Sequence, residues 1–297
     1  MRAGRLGWAG VALALMAGAA AAESETPAAS PPQRVVALDH CADQYVLALA
    51  DPGQIAGLSP AAGAAYSYHA DKAAGLPQIV PQAETLVMAR PDRVIRLWGG
   101  DGLGKVLARY DIPVSELAYG TNLDTARENL RRMGAVLGQP EKAARLLARL
   151  ERRLDRAARR RPPPSARLRA AYVTPSGATA GAGTFIDAIL TAAGLRNVAA
   201  EQGRGGWHSL DLERLALDPP DVIVGGFFEG HAKRPSHWSI ARHSFLHRLI
   251  EERPFISLPG RLLTCQAWYA TDAIARIQAR LSRIPGALKA PQTADGR

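Results

Sequence analysis

The chain has 297 residues, of which 47% are hydrophobic, and a formal net charge of +10 at pH 7. A chain of this length is typical of two domains of about 100 to 150 residues each. The positive charge is concentrated in residues 131–169, which hold 13 basic and 3 acidic residues. We interpret this stretch as the solvated face of a long helix, which argues against a nucleic acid as partner.

The N-terminus has the pattern of a secretory signal peptide over residues 1–22. Arg2 and Arg5 flank the start of an apolar run, and small residues follow up to Ala22. The apolar run is too short to span a bilayer, which requires about 20 residues. We therefore expect an exported chain, with residues 23–32 as a flexible leader.

Residues 33–123 alternate between apolar segments and helical segments. Arg34 to Leu38 is an apolar strand, and residues 39–43 are predicted to form a turn before a helix that ends near Ala50. The predicted strands of this half are residues 34–38, 55–58, 93–98 and 113–117. Because strands that alternate with helices are typical of a parallel sheet, we expect an α/β lobe here.

Residues 124–161 are predicted to be helical, with an interruption at Gly138 to Pro140. From Glu141 to Arg160, leucines recur on one face and arginines occupy the other, as in a helix packed along one side. A helix of this length is about 30 Å long, enough to cross the back of two small domains. The alternative is a helix packed on one domain only.

Residues 162–285 repeat the pattern of the first half, and residues 286–297 are predicted to be a tail. Residues 174–183 are predicted to form a loop, and Gly194 is expected to end a helix. The predicted strands are residues 169–173, 222–224 and 255–258, and the predicted helices are residues 185–193 and 269–284. We therefore predict an α/β fold of two Rossmann-like lobes with mainly parallel sheets, joined by a single long α-helix.

Two segments of the chain are similar to each other, Glu84 to Ile95 and Glu213 to Val224. Both contain Glu-x-Leu, a proline near the end of a predicted helix, an aspartate eight residues after the glutamate, and then a β-branched strand. An internal repeat indicates two similar halves. The alternative is chance, because this joint is common in α/β proteins.

The chain contains two cysteines, Cys41 and Cys265. In an oxidising compartment, a disulfide between them would tie the two halves together and stiffen any motion between them. Two free thiols in a binding cleft are the alternative.

Aromatic residues predominate where a ligand is expected, outside the carboxyl ends of parallel strands and in the adjoining loops. The sequence lacks catalytic patterns such as Gly-x-Ser-x-Gly and His-Glu-x-x-His. His231, His237, His243 and His247 cluster in sequence, but a zinc site would need further ligands, so we predict surface histidines and no metal site. The candidate ligand-binding residues are Tyr66, Tyr68, His69, Trp98, Tyr119, Trp207, Phe227, Phe228, Trp238 and Trp268.

The order of several segments resembles the periplasmic substrate-binding proteins for iron-siderophores and cobalamin that serve ABC importers. The segments are RVVAL, ETLVMARPDRVI running into RLWGG, the mid-chain helix, GAGTFIDAILTAAGLRNVA and SLDLERLALDPPDVIV. The resemblance covers residues 33–284, nearly all of the exported chain. It implies two lobes joined by one long helix, a ligand in the cleft between them, and only a small hinge motion.

The resemblance also implies roles for particular residues. Glu84 and Glu213 match the surface glutamates that dock onto arginines of the permease, and RLWGG is similar to the segment of the cobalamin binder that places an aromatic residue, here Trp98, in the pocket. The chain departs from the family at Asp39-His40-Cys41, where a small Ser-Pro-type turn is usual, and at Cys265 in the corresponding loop of the other lobe. These departures suggest an inter-lobe disulfide or an unusual cleft.

We therefore predict a non-enzymatic, monomeric binding protein of the periplasm that captures a metal chelate and delivers it to an ABC permease in the inner membrane. We expect no resident cofactor. A ferric siderophore is the first expected cargo, cobalamin the second and haem the third, with Tyr66, Tyr68 or His69 as the residue that could supply an axial ligand. The alternatives are a zinc- or manganese-binding protein and a secreted hydrolase.

Overall fold

The computed structural model describes residues 31–228 and 244–284. The predicted signal peptide, most of the predicted leader and the predicted tail lie outside the described residues. So do Trp238, His231, His237 and His243. In the ranges that are described, every helix is too short or too polar to cross a lipid bilayer.

The first lobe is built on a parallel sheet with the strand order β2-β1-β3-β4. Val35 and Ala37 of the central strand pack against the helix that follows it, whereas Val36 faces Leu86 and Leu107 on the opposite side. This alternation buries the sheet on both faces. The elements are β1 (Val35–Ala37), α1 (His40–Leu49), β2 (Ile55–Gly57), α2 (Ala83–Ala89), β3 (Arg93–Arg96), α3 (Asp101–Ala108) and β4 (Val114–Glu116).

Two long helices follow the first lobe, α4 (Leu123–Val136) and α5 (Pro140–Arg159). Leu150 of α5 packs in the core of the first lobe, Ala157 packs in the core of the second, and Leu154 between them contacts both. The helix therefore runs along both lobes, as the sequence predicted. The predicted domain boundaries at residues 123 and 161 stay predictions.

The second lobe contains a parallel sheet with the order β10-β9-β5-β7 and a small antiparallel sheet of β6 and β8. Tyr172 and Val224 face one core cluster, whereas Val173 and Ile223 face the other. The elements are β5 (Arg169–Val173), β6 (Ala178–Ala180), α6 (Phe185–Ala193), β7 (Arg196–Asn197), α7 (Val198–Glu201), β8 (Trp207–Ser209), α8 (Leu212–Leu217), β9 (Val222–Gly226), α9 (Ser244–Glu252), β10 (Phe255–Leu258) and α10 (Ala270–Leu281).

The internal repeat has the same structure in both lobes. In each copy a short helix, α2 or α8, leads through the proline into a buried strand, β3 or β9. The Asp92 carboxylate accepts a hydrogen bond from the backbone N–H of Arg34 at 3.0 Å, and the Asp221 carboxylate accepts one from Arg169 at 2.7 Å. Each aspartate therefore ties its repeat to the first strand of its own lobe.

Two local predictions were wrong. Residues 40–43 form the first turn of α1 and not a turn before it, because the Asp39 carboxylate caps the helix by accepting from the backbone N–H groups of Cys41 and Ala42. The predicted loop of residues 174–183 contains β6, which pairs with β8 and so places Trp207 in a strand. Short polar or alanine-rich strands of this kind lack the apolar pattern on which strand prediction depends.

Candidate functional site

A disulfide joins the two lobes at the carboxyl ends of their strands. Cys41 lies in the first turn of α1, directly after β1, and Cys265 lies in the segment that follows β10. The bond between them confirms the disulfide interpretation and rules out two free thiols in this structure. The strand ends of the two lobes therefore face each other across a cleft, which the disulfide bridges.

Side chains around the disulfide also connect the lobes. The Tyr68 hydroxyl donates a hydrogen bond to the Asp272 carboxylate at 2.7 Å, and the Tyr68 ring stacks on Tyr269 with 4.1 Å between the ring centroids. Asp272 also pairs with Arg153 of α5. Burial, together with the neighbouring Asp272, raises the pKa of Tyr68 to about 12, so the hydroxyl keeps its proton and remains a donor.

One cavity of about 170 Å³ has walls from both lobes. We call it the aromatic recess. Tyr119 and Trp207 line it, and the Trp98 ring lies 5.3 Å from the Tyr119 ring. Trp98, Tyr119 and Trp207 are 55%, 56% and 52% exposed, respectively. The residues that line the recess are Tyr119, Thr121, Gly183, Thr184, Phe185, Ile186, Gly206, Trp207, Leu263 and Gln266.

The lining of the aromatic recess is uncharged among the described residues. Its polar groups are hydroxyls and the Gln266 amide, whose buried Oε1 accepts no hydrogen bond from the described part of the protein. Large aromatic side chains at half exposure are costly to leave in water, and they bind flat apolar surfaces by stacking. The recess can therefore bind a ligand by stacking and a few neutral hydrogen bonds.

Asp39 holds the loop that carries Trp98. One carboxylate oxygen caps α1, and the other accepts hydrogen bonds from the backbone N–H groups of Leu97 at 2.6 Å and Trp98 at 3.1 Å. On the far side of this loop, the buried Arg96 pairs with Glu116 and donates to the carbonyl of Gly100 at 3.1 Å. The position of the Trp98 ring is thus set by charged groups at both ends of its loop.

A second, larger cavity of about 750 Å³ also has walls from both lobes. It is polar, with Asp71, Arg261, Asp272 and Arg276 in its wall. Pro259, Arg261 and Leu262 line this cavity and Leu263 and Gln266 line the aromatic recess, so the segment that carries Cys265 contributes to both. We call the larger cavity the polar recess.

The remaining predicted ligand-binding residues lie in other surroundings. Tyr66 is exposed, and its ring lies 5.5 Å from the His40 ring. Tyr68, His69 and Trp268 pack against one another between the lobes, with Trp268 buried. Burial, and to a smaller extent Lys72, lowers the pKa of His69 to about 4, so its imidazole is neutral at neutral pH.

Phe227 and Phe228 pack within the second lobe. Phe228 lies edge-on to Phe255 with 5.6 Å between the ring centroids, and Phe227 packs beside Gly260 and the second-lobe core. Their roles as ligand contacts, like those of the residues between the lobes, stay predictions. Sequence reasoning missed Thr184, Phe185 and Gln266 as recess residues, because isolated residues of these types form no recognisable motif.

Glu84 and Glu213 are exposed on the first turns of α2 and α8. Four residues after each glutamate stands a large apolar side chain, Met88 or Leu217, and these are 82% and 87% exposed. The repeat thus presents the same pair, a carboxylate and an apolar side chain one turn later, on the surface of each lobe.

The sequence profile described as periplasmic binding protein matches residues 35–233 of this chain. No curated protein is significantly similar to it in sequence. Among solved structures, a periplasmic heme-binding protein from Pseudomonas aeruginosa is 22% identical, with a TM-score of 0.63 over 84% of this chain and 92% of its own.

Two further solved structures have the same fold. A periplasmic vitamin B12-binding protein of Vibrio cholerae is 17% identical, with a TM-score of 0.63 over 85% of this chain and 98% of its own. An ABC-type Fe3+-hydroxamate transport protein from Saccharomonospora viridis is 19% identical, with a TM-score of 0.61 over 84% of this chain and 93% of its own. At these identities the likeness shows the fold, and the profile match shows the family. The chain belongs to the periplasmic binding protein family, whose members are the solute-binding components of ABC importers and not enzymes.

Proposed function

We propose that this solute-binding protein captures a metal chelate in the aromatic recess and delivers it to an ABC permease. The observation that carries the proposal is the exposure of Trp98, Tyr119 and Trp207 around one cavity to which both lobes contribute. An aromatic side chain that goes from fully exposed to fully covered buries about 150–250 Å² of surface. Each of these three still exposes about half of its surface, so together they supply affinity without covalent chemistry.

The size of the recess agrees with a ligand that is only partly enclosed. A volume of about 170 Å³ is below the range of about 300–1,000 Å³ that is usual for small-molecule sites. A chelate of several tens of atoms would therefore place one face or arm in the recess. The rest of the chelate would lie in the mouth of the cleft, against the Trp98 ring.

The uncharged lining supports a neutral chelate over an anionic one. A ferric hydroxamate and a corrinoid carry little net charge at the face that stacks, whereas a haem carries two carboxylates that need cationic partners or water. We therefore keep the order ferric siderophore, cobalamin, haem, with hydroxamates as the favoured siderophores. Solved structures of the same fold include proteins described as binding heme, vitamin B12 and Fe3+-hydroxamate.

Of the three residues expected to supply an axial ligand to haem, Tyr66 is the exposed one, but it does not line the aromatic recess. The hydroxyl of Tyr68 is committed to Asp272, and His69 packs between Tyr68 and Trp268. In the oxidised protein, a free zinc or manganese ion finds no comparable support. Among the described residues, the one group of three close metal-type ligands is His40 with the two disulfide-bonded cysteines.

The cargo is tested by titration of the oxidised protein with four chelates: a ferric hydroxamate, a ferric catecholate, cyanocobalamin and haem. We expect tryptophan quenching and a raised melting temperature with the hydroxamate or the corrinoid. Trp98→Ala and Trp207→Ala should each weaken binding by about 2 kcal/mol, measured by calorimetry. Tyr110→Ala is the matched control, because Tyr110 is equally exposed but does not line the recess. Unchanged affinity in both tryptophan variants would contradict the assignment of the recess.

We also propose that Glu84 and Glu213, with Met88 and Leu217 beside them, form two matched contacts with the permease. The resemblance to siderophore and cobalamin binders assigns docking to the glutamates, and the exposure of both apolar neighbours supports an interface at the same places. Two apolar side chains this exposed, at equivalent positions on two similar helices, are unusual. At an interface with the permease, Met88 and Leu217 would form buried apolar contacts beside the charged contacts of the two glutamates.

A further inference from the structure

The ring of His40 lies against both sulfurs of the inter-lobe disulfide. Its Nε2 is 3.5 Å from the Sγ of Cys41 and 3.4 Å from the Sγ of Cys265. In the described part of the chain, no other set of three His, Cys, Asp or Glu side chains brings its ligand atoms within 4.8 Å of one another. The disulfide explains why the two sulfur atoms lie together. Neither this cross-link nor the proposed binding of a chelate requires the imidazole nitrogen of His40 beside them.

Reduction converts the disulfide into two metal ligands. A dithiol supplies two electrons and two protons, the S–S bond breaks, Cys41 and Cys265 become thiols, and the dithiol becomes a disulfide. A divalent metal ion that then binds displaces one proton from each thiol. The two thiolates neutralise the charge of the ion, and neutral His40 supplies a lone pair.

The distances around His40 match those of a tetrahedral zinc site. With Zn–S bonds of about 2.3 Å and Zn–N bonds of about 2.0 to 2.1 Å, a tetrahedral site has sulfur-to-nitrogen edges of about 3.5 Å. Both Sγ-to-Nε2 distances already have this value. Zinc further requires the sulfurs to separate to about 3.8 Å, which requires rotation about the Cα–Cβ bonds of the two cysteines.

We propose that His40, Cys41 and Cys265 form a zinc site when the inter-lobe disulfide is reduced. The metal ion then replaces the covalent bond as the link between the lobes at the centre of the cleft. The site has three protein ligands, so its fourth position is open to water or to another oxygen donor in the cleft. It is closed in the oxidised protein, because a disulfide has no thiolate to offer.

The surroundings of the three residues suit this role. Cys41 is buried in the first turn of α1 and Cys265 is buried in the segment after β10, so both sulfur ligands are shielded from bulk water. The Cα atoms of the two cysteines are 5.6 Å apart in the folded chain, so the ligands are brought together before any metal arrives.

Cobalt(II) is the probe for the test, because tetrahedral cobalt thiolates absorb in the visible and near-ultraviolet whereas zinc is silent. The full chain is reduced with a water-soluble phosphine, which is oxidised to the phosphine oxide, and is then freed of reductant by anaerobic gel filtration. We expect a single equivalent of cobalt to give visible bands and a thiolate charge-transfer band, both of which zinc abolishes. The oxidised protein should give neither.

Variants separate the proposed site from adventitious binding. His40→Ala and Cys265→Ser, each treated identically, should lose the visible bands, whereas His247→Ala, which removes an exposed histidine on α9, should retain them. Near-ultraviolet circular dichroism reports whether the reduced chain stays folded. Loss of that signal on reduction, absence of the bands in reduced protein, or their persistence in His40→Ala would each overturn the proposal. None of these readouts depends on which chelate the protein carries.

Discussion

The backbone N–H of Trp98 donates a hydrogen bond to the carboxylate of Asp39 at 3.1 Å. Because the same carboxylate caps α1 through Cys41 and Ala42, it couples the start of this helix to the loop that presents the Trp98 ring. Asp39, which lies between β1 and α1, thus serves both the stability of the first lobe and the shape of the aromatic recess.

Replacement of Asp39 by alanine should reduce both stability and cargo affinity. Loss of an N-cap costs about 0.5–2 kcal/mol, and the N–H groups of Leu97 and Trp98 lose their acceptor as well. Denaturant unfolding measures the first effect and calorimetric titration with the chelate measures the second. Asp211→Ala is the control, since Asp211 caps α8 but does not line the recess. Equal affinities of the two variants would refute a positioning role for Asp39.

The buried carboxyl of Asp43 should make stability depend on pH. Burial raises its pKa from 3.8 to about 7, although the Ser59 hydroxyl and N–H donate to it at 2.6 and 2.9 Å. The folded state therefore holds this proton more tightly than the unfolded state does. The stabilisation that Asp43 gives the folded state is fully present below pH 3.8 and is lost as the pH rises through about 7. The loss is about 1.4 kcal/mol for each unit by which the pKa is raised.

Asp43→Asn tests this dependence, because the amide is neutral at every pH and has a similar shape. We expect the free energy of unfolding of the variant, relative to wild type, to increase from pH 4 to pH 7. The lowered pKa of His69 also makes stability depend on pH, because its contribution to the free energy of unfolding increases as the pH rises from about 4 to 6.5. Wild type and variant share His69, so the difference between them does not contain this contribution. A constant difference across this range would show that Asp43 titrates normally.

Loss of the Tyr68 hydroxyl should weaken the connection between the lobes. Its hydrogen bond to the charged Asp272 is half-buried, so we expect Tyr68→Phe to lower the free energy of unfolding by about 1 to 2 kcal/mol. Asp272 keeps its partner Arg153, which limits the loss. Tyr110→Phe removes an exposed hydroxyl and should leave stability unchanged. If Tyr68→Phe lowered the free energy of unfolding as little as Tyr110→Phe, the hydrogen bond from Tyr68 to Asp272 would not contribute to holding the two lobes together.

The docking proposal predicts a separation of binding from uptake. The double variant Glu84→Ala/Glu213→Ala should bind the chelate normally and lose uptake in vesicles that contain the permease. Removal of one partner of a desolvated ion pair costs about 2–5 kcal/mol, which is more than tenfold in affinity. Met88→Ser/Leu217→Ser should weaken association with the permease as well. Glu128→Ala/Asp155→Ala removes exposed acids on α4 and α5 and should transport at the wild-type rate. Normal uptake by the glutamate variant would disprove the docking assignment.

Local sequence patterns predicted much of the framework. Residues 169–173, 185–193 and 255–258 have the predicted bounds, and Gly194 ends α6 in the left-handed conformation, at a φ of 94°. These elements depend on periodicity and on glycine and proline signals, which are carried by neighbouring residues. The start of α1 was missed, because Asp39 and Asp43 are as common in turns as in helix caps.

The candidate site was predicted less completely, because exposure depends on residues that are distant in sequence. Trp98 and Trp268 are equivalent by sequence pattern, yet Trp98 is exposed near the recess whereas Trp268 is buried against Tyr45. The difference arises from the first-lobe core, where Trp268 packs together with residues of α1 and Trp98 does not. No local signal separates the two cases.

An α/β chain with a repeated helix-to-strand joint in each half, and a long amphipathic helix between the halves, can be read from the amino-acid sequence. These properties follow from backbone geometry and from the spacing of apolar residues within about twenty positions. The folded structure was needed to show that the disulfide between Cys41 and Cys265 lies beside His40, and that Tyr119 of one lobe and Trp207 of the other line one recess. Those contacts depend on how the lobes pack against α5, which no single segment encodes.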